Sequence, residues 1–451
     1  MGEKNLNGLK AQLAPLSEEE TVSPLSPFQQ EISVLLVQYQ SGQFEDAEKL
    51  AISITDKYPT HPFSWKILGA LLNQTGRVIE SLPVLQKSVK LMPNDAEAHN
   101  NLGNTLKKLG RLEEAEASFR QSIALKPDYA EAYFNLGGTL DKLGRLEEAE
   151  ASFRQSIALK PDYAEAHSNL GVINRKKGKL EEAEENYLQA ITSKPDYANA
   201  HYNLGNTFKE QGRYNDAIAS YMRAIALKPE FEEAKHMHAA LSGETTVTAP
   251  RNYVEGLFDK YADKFEISLI DKLQYNSPKI ISEMILKNSK IDFLGSIMDL
   301  GCGTGLFGIE IRQFCEHLEG VDLSEKMLDK AKEKNIYNNL IKQDILDYLS
   351  NEDLNFDYFV STDVFVYIGD LFDVFRLIKS RNKTEGKLAF STEHYEGERF
   401  CLEKSGRYSH SKKYIESLCK TFGYKLNHFE TLALRKEKNQ YISGGFYLLE
   451  F

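Results

Sequence analysis

The sequence predicts a two-part protein: an all-α solenoid of helical hairpins, followed by an α/β domain with a mostly parallel sheet of seven strands. The solenoid is indicated by prolines that recur every 34 residues from Pro59 to Pro229, with glycines at the same period from Gly42 to Gly212. The α/β domain is indicated by a predicted strand that runs into the glycine-rich turn 301–305 and then into a helix. A short polar segment at 242–250 ends the period and marks the change.

Composition excludes several classes of protein. Hydrophobic residues make up 41% and charged residues 27% of the 451-residue chain, which is enough apolar material for a core. No apolar run approaches the roughly 20 residues of a membrane-spanning helix, and residues 1–17 lack the apolar centre of a signal peptide, so we expect a cytoplasmic protein. Four scattered cysteines predict neither disulfides nor zinc. The net charge of −11 gives no electrostatic drive toward nucleic acid or anionic membrane.

Each 34-residue period has room for two helices. Ala98, Leu102 and Leu106 are spaced as one apolar helical stripe, and Ala115 and Phe119 begin a second. A glycine between the stripes predicts a helix stop, and the proline that closes the period ends the second helix. The unit is therefore a helix–turn–helix hairpin.

These residues resemble the tetratricopeptide repeat (TPR), a family whose units carry Leu-Gly, a central Gly, Ala, Phe and Pro at fixed points. The unit 96–129 has all of these, whereas Val34-Leu35 replaces Leu-Gly in the first unit. The resemblance implies an extension at 1–27, a solenoid over 28–241, a linker at 242–250 and a second domain over 251–451. The six units and a partial capping helix to about 241 are 28–61, 62–95, 96–129, 130–163, 164–197 and 198–231.

An asparagine precedes Leu-Gly in four successive units, at Asn101, Asn135, Asn169 and Asn203. Its amide supplies one donor group and one acceptor, which suits the backbone of a bound peptide. The pattern resembles the asparagine ladder in the TPR arm of O-GlcNAc transferase, which holds extended peptide. It predicts a protein or peptide partner; the alternative is that these asparagines only fit the repeat pattern and face solvent or a neighbouring helix.

The glycine-rich turn follows a strand candidate at 296–300, and such a turn lets backbone N–H groups approach a ligand closely. Gly303, Gly305 and Gly308 also satisfy the spacing of a dinucleotide-binding turn, so NAD is one alternative and a turn without ligand is another. Asp299 favours a cationic ligand group over a pyrophosphate. Asp322, at the end of the next predicted strand, is suited to the hydroxyls of a ribose.

The sequences Asp-Leu-Gly-Cys-Gly-Thr-Gly at 299–305 and Gly-Val-Asp-Leu-Ser at 320–324 resemble motifs of class I methyltransferases. The whole of 250–451 resembles predicted methyltransferases that carry TPR repeats, and the segments 253–265 and 406–411 support this resemblance. The resemblance implies a Rossmann-like domain and S-adenosylmethionine as cofactor. The residues implied to bind it are Asp299, Leu300, Gly301, Cys302, Gly303, Gly305, Asp322, Leu323, Met327, Asp344, Ile345 and Tyr261.

Methyl transfer from a sulfonium needs proximity, orientation and sometimes a base. His394 and His410 are candidate bases because an ordinary histidine titrates near neutral pH. Tyr408 and Asp363 are further candidates, and Arg407 is expected either to pair with a substrate carboxylate or to form a salt bridge. Aromatic residues at 253, 258, 261, 265 and 275 are candidates for a lid or for helix core.

The sequence thus predicts an S-adenosylmethionine-dependent methyltransferase whose TPR arm recruits a protein or peptide. Ser361-Thr362-Asp363-Val364 stands where adenine-N6 and glutamine methyltransferases carry an Asn-Pro-Pro-Tyr-type motif, so an oxygen nucleophile is favoured. Two alternatives remain. One is a scaffold with a vestigial or regulatory methyltransferase domain, and the other is a small-molecule enzyme whose arm serves only localisation or homodimerisation.

Overall fold

The computed structural model describes residues 26–262, 275–289, 293–351, 353–437 and 440–451. They fall into two compact units that divide between Gln211 and Gly212. Two helices that precede the predicted linker therefore group with the α/β part of the chain. Among the described residues, no helix combines the length and the apolar character of a membrane span.

The first unit is a run of antiparallel helices, as the 34-residue period predicts, and the helical-repeat architecture is confirmed. Its described helices, α1 to α11, are Pro27–Gln40, Phe44–Lys57, Pro62–Gln74, Val78–Leu91, Ala96–Lys108, Leu112–Leu125, Ala130–Lys142, Leu146–Leu159, Ala164–Lys176, Leu180–Ser193 and Ala198–Glu210.

The pair α5–α6 shows why the repeat residues are needed. Asp95 caps α5 by accepting hydrogen bonds from the backbone N–H groups of Glu97 and Ala98. Gly103 lies so close to Phe119 that a Cβ there would sit 2.7 Å from the ring, so the glycine of Leu-Gly sets the helix spacing. Gly110 turns the chain between the helices with φ of +76°, a conformation that favours glycine.

Among the described residues, the second unit contains nine α-helices, two short 3-10 helices (Arg312–Phe314 and Phe365–Tyr367) and nine strands. The helices, α12 to α20, are Tyr214–Leu227, Glu232–Ser242, Arg251–Tyr261, Ser277–Asn288, Leu306–Ile311, Glu325–Glu333, Ile345–Asn351, Phe372–Arg381 and Lys412–Phe422. The strands, β1 to β9, are Leu294–Leu300, Cys315–Asp322, Asn339–Lys342, Tyr358–Ser361, Lys387–His394, Phe400–Leu402, Tyr408–His410, Lys425–Glu437 and Gln440–Glu450.

The predicted mostly parallel sheet is confirmed. Strands β3, β2, β1, β4 and β5 lie side by side in parallel, β9 runs antiparallel to β5, and β8 pairs with β9. The three-residue strands β6 and β7 extend this sheet, and β7 pairs in parallel with the end of β5. This order places the carboxyl ends of β1, β2 and β4 at one edge, where open α/β sheets bind ligands.

Helices cover both faces of the sheet, which explains why its central strands read as nearly continuous apolar runs. Met298, Phe359 and Phe390 belong to one buried cluster, with side chains of α18, α19 and α20. Their chain neighbours Ile297, Val360 and Ala389 belong to the opposite cluster, with α15 and α16. The alternation fixes which side chains reach the edge of the sheet.

Candidate active site

A cavity of about 350 Å³ opens at the carboxyl edge of the sheet. Two of its walls come from the turn after β1 and from the end of β2, and α14 and the segment before it contribute another. Six residues predicted to bind cofactor line it, namely Gly301, Gly303, Asp322, Leu323, Asp344 and Ile345. The fold therefore brings together residues that are up to 44 positions apart in the sequence.

The turn after β1 requires glycine at three positions. Gly301, Gly303 and Gly305 have φ of +75°, +54° and +88°, and a Cβ on Gly301 would lie 2.5 Å from Val364. The backbone N–H groups of Gly301 and Cys302 donate to the carbonyl of Val321, at 2.8 and 3.1 Å, which ties the turn to β2. The turn is thus held open toward the cavity without side chains filling it.

The remaining predicted cofactor residues lie around this turn rather than on the cavity wall. Leu300 and Met327 are fully buried, and Cys302 points back against Gly320, where a Cβ would lie 2.8 Å from its sulfur. Gly305 begins α16. The structure does not describe the side chain of Tyr261, and residues 263 and 265 lie outside the described residues.

Asp322 anchors the turn with both carboxylate oxygens. Oδ2 accepts from the N–H of Gly303 and Oδ1 from that of Ser324, each at 2.8 Å. Burial raises the pKa of Asp322, and these N–H bonds oppose the shift by stabilising the charged form. Each oxygen has a second lone pair, so the carboxylate retains capacity to accept hydroxyl protons from a ligand in the cavity.

Asp299 lies behind the turn, fully buried, and is not among the described residues that line the cavity. The hydroxyl of Tyr337 donates to its Oδ2 at 2.7 Å, and its Oδ1 has no partner among the described residues. Burial raises the pKa of Asp299 to about 7, and the Tyr337 bond opposes this shift. A buried carboxylate oxygen without a partner fits a ligand that brings a positive group.

Asp344 acts as the cap of α18. Its Oδ1 accepts from the N–H of Leu346 at 2.9 Å and of Asp347 at 3.3 Å. Its Oδ2 lies 3.2 Å from Nε of Arg251, which also bonds Asp347. Asp344 therefore lines the cavity with a carboxylate whose two oxygens already have partners in the protein.

Asp363 follows β4 and lines the cavity. Its φ of +58° is unusual for a residue with a side chain. Nη1 of Arg435 donates to both of its carboxylate oxygens, at 2.8 and 2.7 Å, and its own N–H donates to Ser391 Oγ at 2.9 Å. Burial raises the pKa of Asp363, and the charge of Arg435 opposes that shift.

Two arginines and three carboxylates form a network behind Asp363. Arg435 also bonds Glu393, and Arg407 donates from Nε to Glu393 at 2.6 Å and from Nη2 to Glu437. Both guanidiniums line the cavity, yet each is already paired with carboxylates. Arg407 thus has the salt-bridge arrangement that the sequence left open.

Neither predicted histidine base is among the described residues that line the cavity. His410 is fully buried, its Nε2 lies 3.0 and 2.9 Å from the carbonyls of Ile368 and Gly369, and burial lowers its pKa to about 4. His394 packs against Phe429, with Nε2 3.5 Å from Glu396. Tyr408 is also buried, and its hydroxyl bonds that of Thr246 at 2.5 Å. The geometry gives these three side chains roles in packing and hydrogen bonding.

Sequence reasoning missed the contribution of Arg435. It lies on β8 and is only 4% exposed. No local pattern marks Arg435, because its pairing with Asp363, 72 residues away, is set by the order of the strands in the sheet. Of the predicted lid aromatics, Phe258 and Tyr275 line the cavity.

The segment predicted as a linker is docked within the second unit. The N–H of Ala249 donates to the carbonyl of Tyr367 at 3.0 Å, and Val247 accepts from Asp370 at 2.8 Å. Thr248 forms an isolated bridge with Ile368, and both residues line the cavity. This segment therefore forms part of the site wall.

The four predicted peptide-binding asparagines of the first unit lie on α5, α7, α9 and α11 and are each half-buried. Nδ2 of Asn135 donates to Oδ1 of Asn100 at 3.0 Å. Asn169 lines a second cavity, of about 220 Å³, within the helical unit. The asparagines thus recur on equivalent first helices of the hairpins, as their spacing requires.

Comparison with known proteins agrees with this architecture. Residues 293–442 match a family described as a methyltransferase domain, and residues 100–164, 173–212 and 198–231 match TPR families. The chain is 28% identical over 146 residues to an uncharacterized methyltransferase of Schizosaccharomyces pombe, covering 28% of this chain and 51% of that protein. It is 31% identical over 142 residues to malonyl-[acyl-carrier protein] O-methyltransferase 1 of Ilyobacter polytropus, covering 30% and 47%. The chain therefore spans about half the length of these relatives.

Some solved structures have segments similar to part of this chain. MamA is 25% identical with a TM-score of 0.34, covering 36% of this chain and 95% of MamA. YrrB, titled a TPR protein with an unusual peptide-binding site, is 21% identical with a TM-score of 0.35, covering 41% and 96%. The family matches establish that this chain carries tetratricopeptide repeats and a methyltransferase domain.

Proposed function

We propose that the protein is an S-adenosylmethionine-dependent methyltransferase whose TPR arm recruits the protein or peptide that it modifies, with transfer to an oxygen nucleophile. The observation that carries this proposal is the cavity at the carboxyl edge of the sheet. There two glycines of the turn after β1, the carboxylate of Asp322 and the carboxylate of Asp344 line one space.

The residues present fit S-adenosylmethionine. Asp299 would face its positively charged amino group across the turn, because its Oδ1 is buried and has no partner among the described residues. Asp322 would accept the ribose hydroxyls, and Asp344 with Ile345 would border the adenine. The bound cofactor would supply an activated methyl group, so the protein's own task is to place the acceptor and exclude water.

Asp363 is the group best placed to receive a proton from the acceptor. It lines the cavity, and Arg435 fixes its orientation through two hydrogen bonds. The three arginines among the described lining residues already pair with carboxylates, which favours a neutral hydroxyl acceptor over a free carboxylate. The name of the O-methyltransferase relative is consistent with an oxygen acceptor.

Calorimetric titration of the full chain with S-adenosylmethionine, and separately with NADH, tests this proposal. We expect micromolar binding of the first, and at least a hundredfold loss in Asp322→Ala, because hydrogen bonds to a charged group contribute about 1.5–3 kcal/mol each. Asp329→Ala, which removes an exposed carboxylate from α17, is the matched control and should bind normally. Binding of NADH in its place would indicate a dinucleotide enzyme, and binding of neither would favour the scaffold alternative.

A further inference from the structure

Helix α1 exposes two valines at positions that later repeats bury. Leu68 and Leu71 of α3 belong to a buried cluster with Ala51 of the preceding helix α2, and they are 5% and 0% exposed. One period earlier stand Val34 and Val37, which are 50% and 62% exposed. The later residues equivalent to Val37 are at most 1% exposed, namely Leu71, Thr105, Thr139, Ile173 and Thr207. Among the residues that the structure describes, no helix precedes α1 to cover this face.

The exposed face of α1 also carries no charge. Charged residues make up 27% of the chain, yet the one charged residue of α1 is Glu31, which is paired with Lys57 of α2 at 2.7 Å. The exposed residues of the helix after Pro27 are Gln29, Gln30, Ser33, Val34, Val37 and Gln40. A terminal repeat that faces water requires a polar outer face. Two exposed valines on one uncharged helix face therefore indicate an interaction surface.

The absence of charge favours a second copy of the chain as the partner. In a contact with two-fold symmetry each residue meets the same surface of the other copy, so a charged face would bring like charges together. The uncharged face of α1 avoids this, although each chain has a net charge of −11. The sequence before α1 is less suited to this face. Extending the 34-residue period backwards places Glu20 where later units carry the fully buried Ile54, Ser88 and Ser122.

We propose that α1 is a homodimer interface, in which the exposed faces of α1 from two copies of the chain pack against each other about a two-fold axis. Gln30, Ser33, Val34 and Val37 are spaced as one helical stripe. The valines would form its apolar centre, while Gln30 and Ser33 can each donate to and accept from the other copy. One helix from each copy is a small contact, so the dimer should be reversible. The inference depends neither on the proposed methyl transfer nor on peptide binding.

Sedimentation equilibrium of the full chain tests the proposal. We expect the average mass to rise from the 51.2 kDa of one chain toward twice that value between about 1 and 100 µM protein. Raising the salt concentration from about 0.1 to 0.5 M should not dissociate the dimer, because the contact is uncharged and salt screens the repulsion between the two acidic chains. A chain that stays monomeric over the whole range overturns the proposal, and so does a dimer that salt dissociates.

Charges placed on α1 assign the dimer to this helix. The double variant Val34→Glu, Val37→Glu should raise the dissociation constant at least about a hundredfold, because like charges then meet in a desolvated contact. The double variant Val34→Lys, Val37→Lys should do the same. An equimolar mixture of the two should dimerise again, because opposite charges then meet, whereas loss of folding would not be reversed by mixing. Leu188→Glu, at an exposed leucine on α10, is the control and should dimerise like the wild type.

Circular dichroism verifies that each variant keeps its helix content. Dimers that persist in both charged variants, or a mixture that stays monomeric, overturn the contact between two copies of α1. Deletion of residues 1–25 tests the other occupant of this face, and we expect the shortened chain to dimerise as the full chain does. A full chain that is monomeric and a shortened chain that dimerises would overturn the proposal, because residues 1–25 would then cover α1 in place of a second copy.

Discussion

Arg435 on β8 donates from Nη1 to both carboxylate oxygens of Asp363, at 2.8 and 2.7 Å, and so joins two residues 72 positions apart. Asp363 has φ of +58°, a conformation that costs a residue with a side chain about 1–3 kcal/mol. The paired guanidinium and the bond from the Asp363 N–H to Ser391 hold it there. A residue of the antiparallel strand β8 thus holds the side chain of Asp363, which follows the parallel strand β4.

Replacing Arg435 with Met should destabilise the second unit strongly. The change leaves Asp363 and Glu393 buried without their shared cation, a defect that typically costs 3–5 kcal/mol. Chemical denaturation monitored by circular dichroism measures the loss, and Arg376→Met, an exposed arginine on α19, is the control. A loss below about 1 kcal/mol would contradict the pairing.

Asp299→Asn should raise stability at pH 8 while weakening cofactor binding. The pKa of Asp299 is about 7 in the folded protein and near 3.9 when unfolded, so the folded state binds more protons between these values. The contribution of Asp299 to stability therefore falls as pH rises from about 4 to 7, and the amide removes that loss. Melting temperatures at pH 5 and pH 8 test this; a variant less stable than wild type at pH 8 would contradict it.

His410→Ala should lower stability by about 2–4 kcal/mol but leave cofactor affinity unchanged. The imidazole fills a fully buried space, and its Nε2 lies within hydrogen-bond distance of two carbonyl groups. The variant leaves a cavity and removes the hydrogen-bond partner of these carbonyls. Denaturation and calorimetry measure the two effects. Reduced cofactor affinity in a folded sample would instead place His410 in the site.

Acid should destabilise the wild-type protein through the same histidine. Its folded pKa of about 4 lies below the ordinary value near 6.5, so between these values the unfolded chain binds the extra proton. The contribution of His410 to stability therefore falls as pH drops from about 6.5 toward 4, opposite in sign to the contribution of Asp299. His410→Gln should flatten this part of a plot of melting temperature against pH, and an unchanged slope would assign the loss to other groups.

The double variant Asn135→Ala, Asn169→Ala should bind a labelled, amidated alanine–serine hexapeptide at least fivefold more weakly than the full wild-type chain does, because two backbone-directed hydrogen bonds of about 0.5–1.5 kcal/mol each are lost. Fluorescence anisotropy with this peptide measures the change. Asn186→Ala is the control, since its side chain bonds the carbonyl of Glu182 on the second helix of its hairpin. Unchanged binding would mean that the asparagines only fit the repeat.

The architecture was predictable because its signals are local. The repeat period depends on Gly103 meeting Phe119 and on Gly110 turning the chain, so each unit carries its own pattern. The glycine turn and Asp322 likewise lie within two consecutive strand–turn segments. The catalytic candidates were less predictable: His410 has the chemistry of a base in the sequence, yet the structure turns its ring toward the carbonyls of Ile368 and Gly369.

The sequence by itself determined the helical repeat, the mostly parallel sheet and the glycine-rich turn 301–305, because periodicity and the placement of glycines act over a few residues. Tertiary structure decided that Arg435 meets Asp363, that Thr248 and Ala249 form part of a cavity wall, and that Nζ of Lys107 lies beside Gly138 of the next repeat. These contacts depend on strand order and on packing between repeats. These contacts are stabilised by burial and by charge pairing between segments that are far apart in the sequence. Local sequence patterns do not predict which distant segments meet.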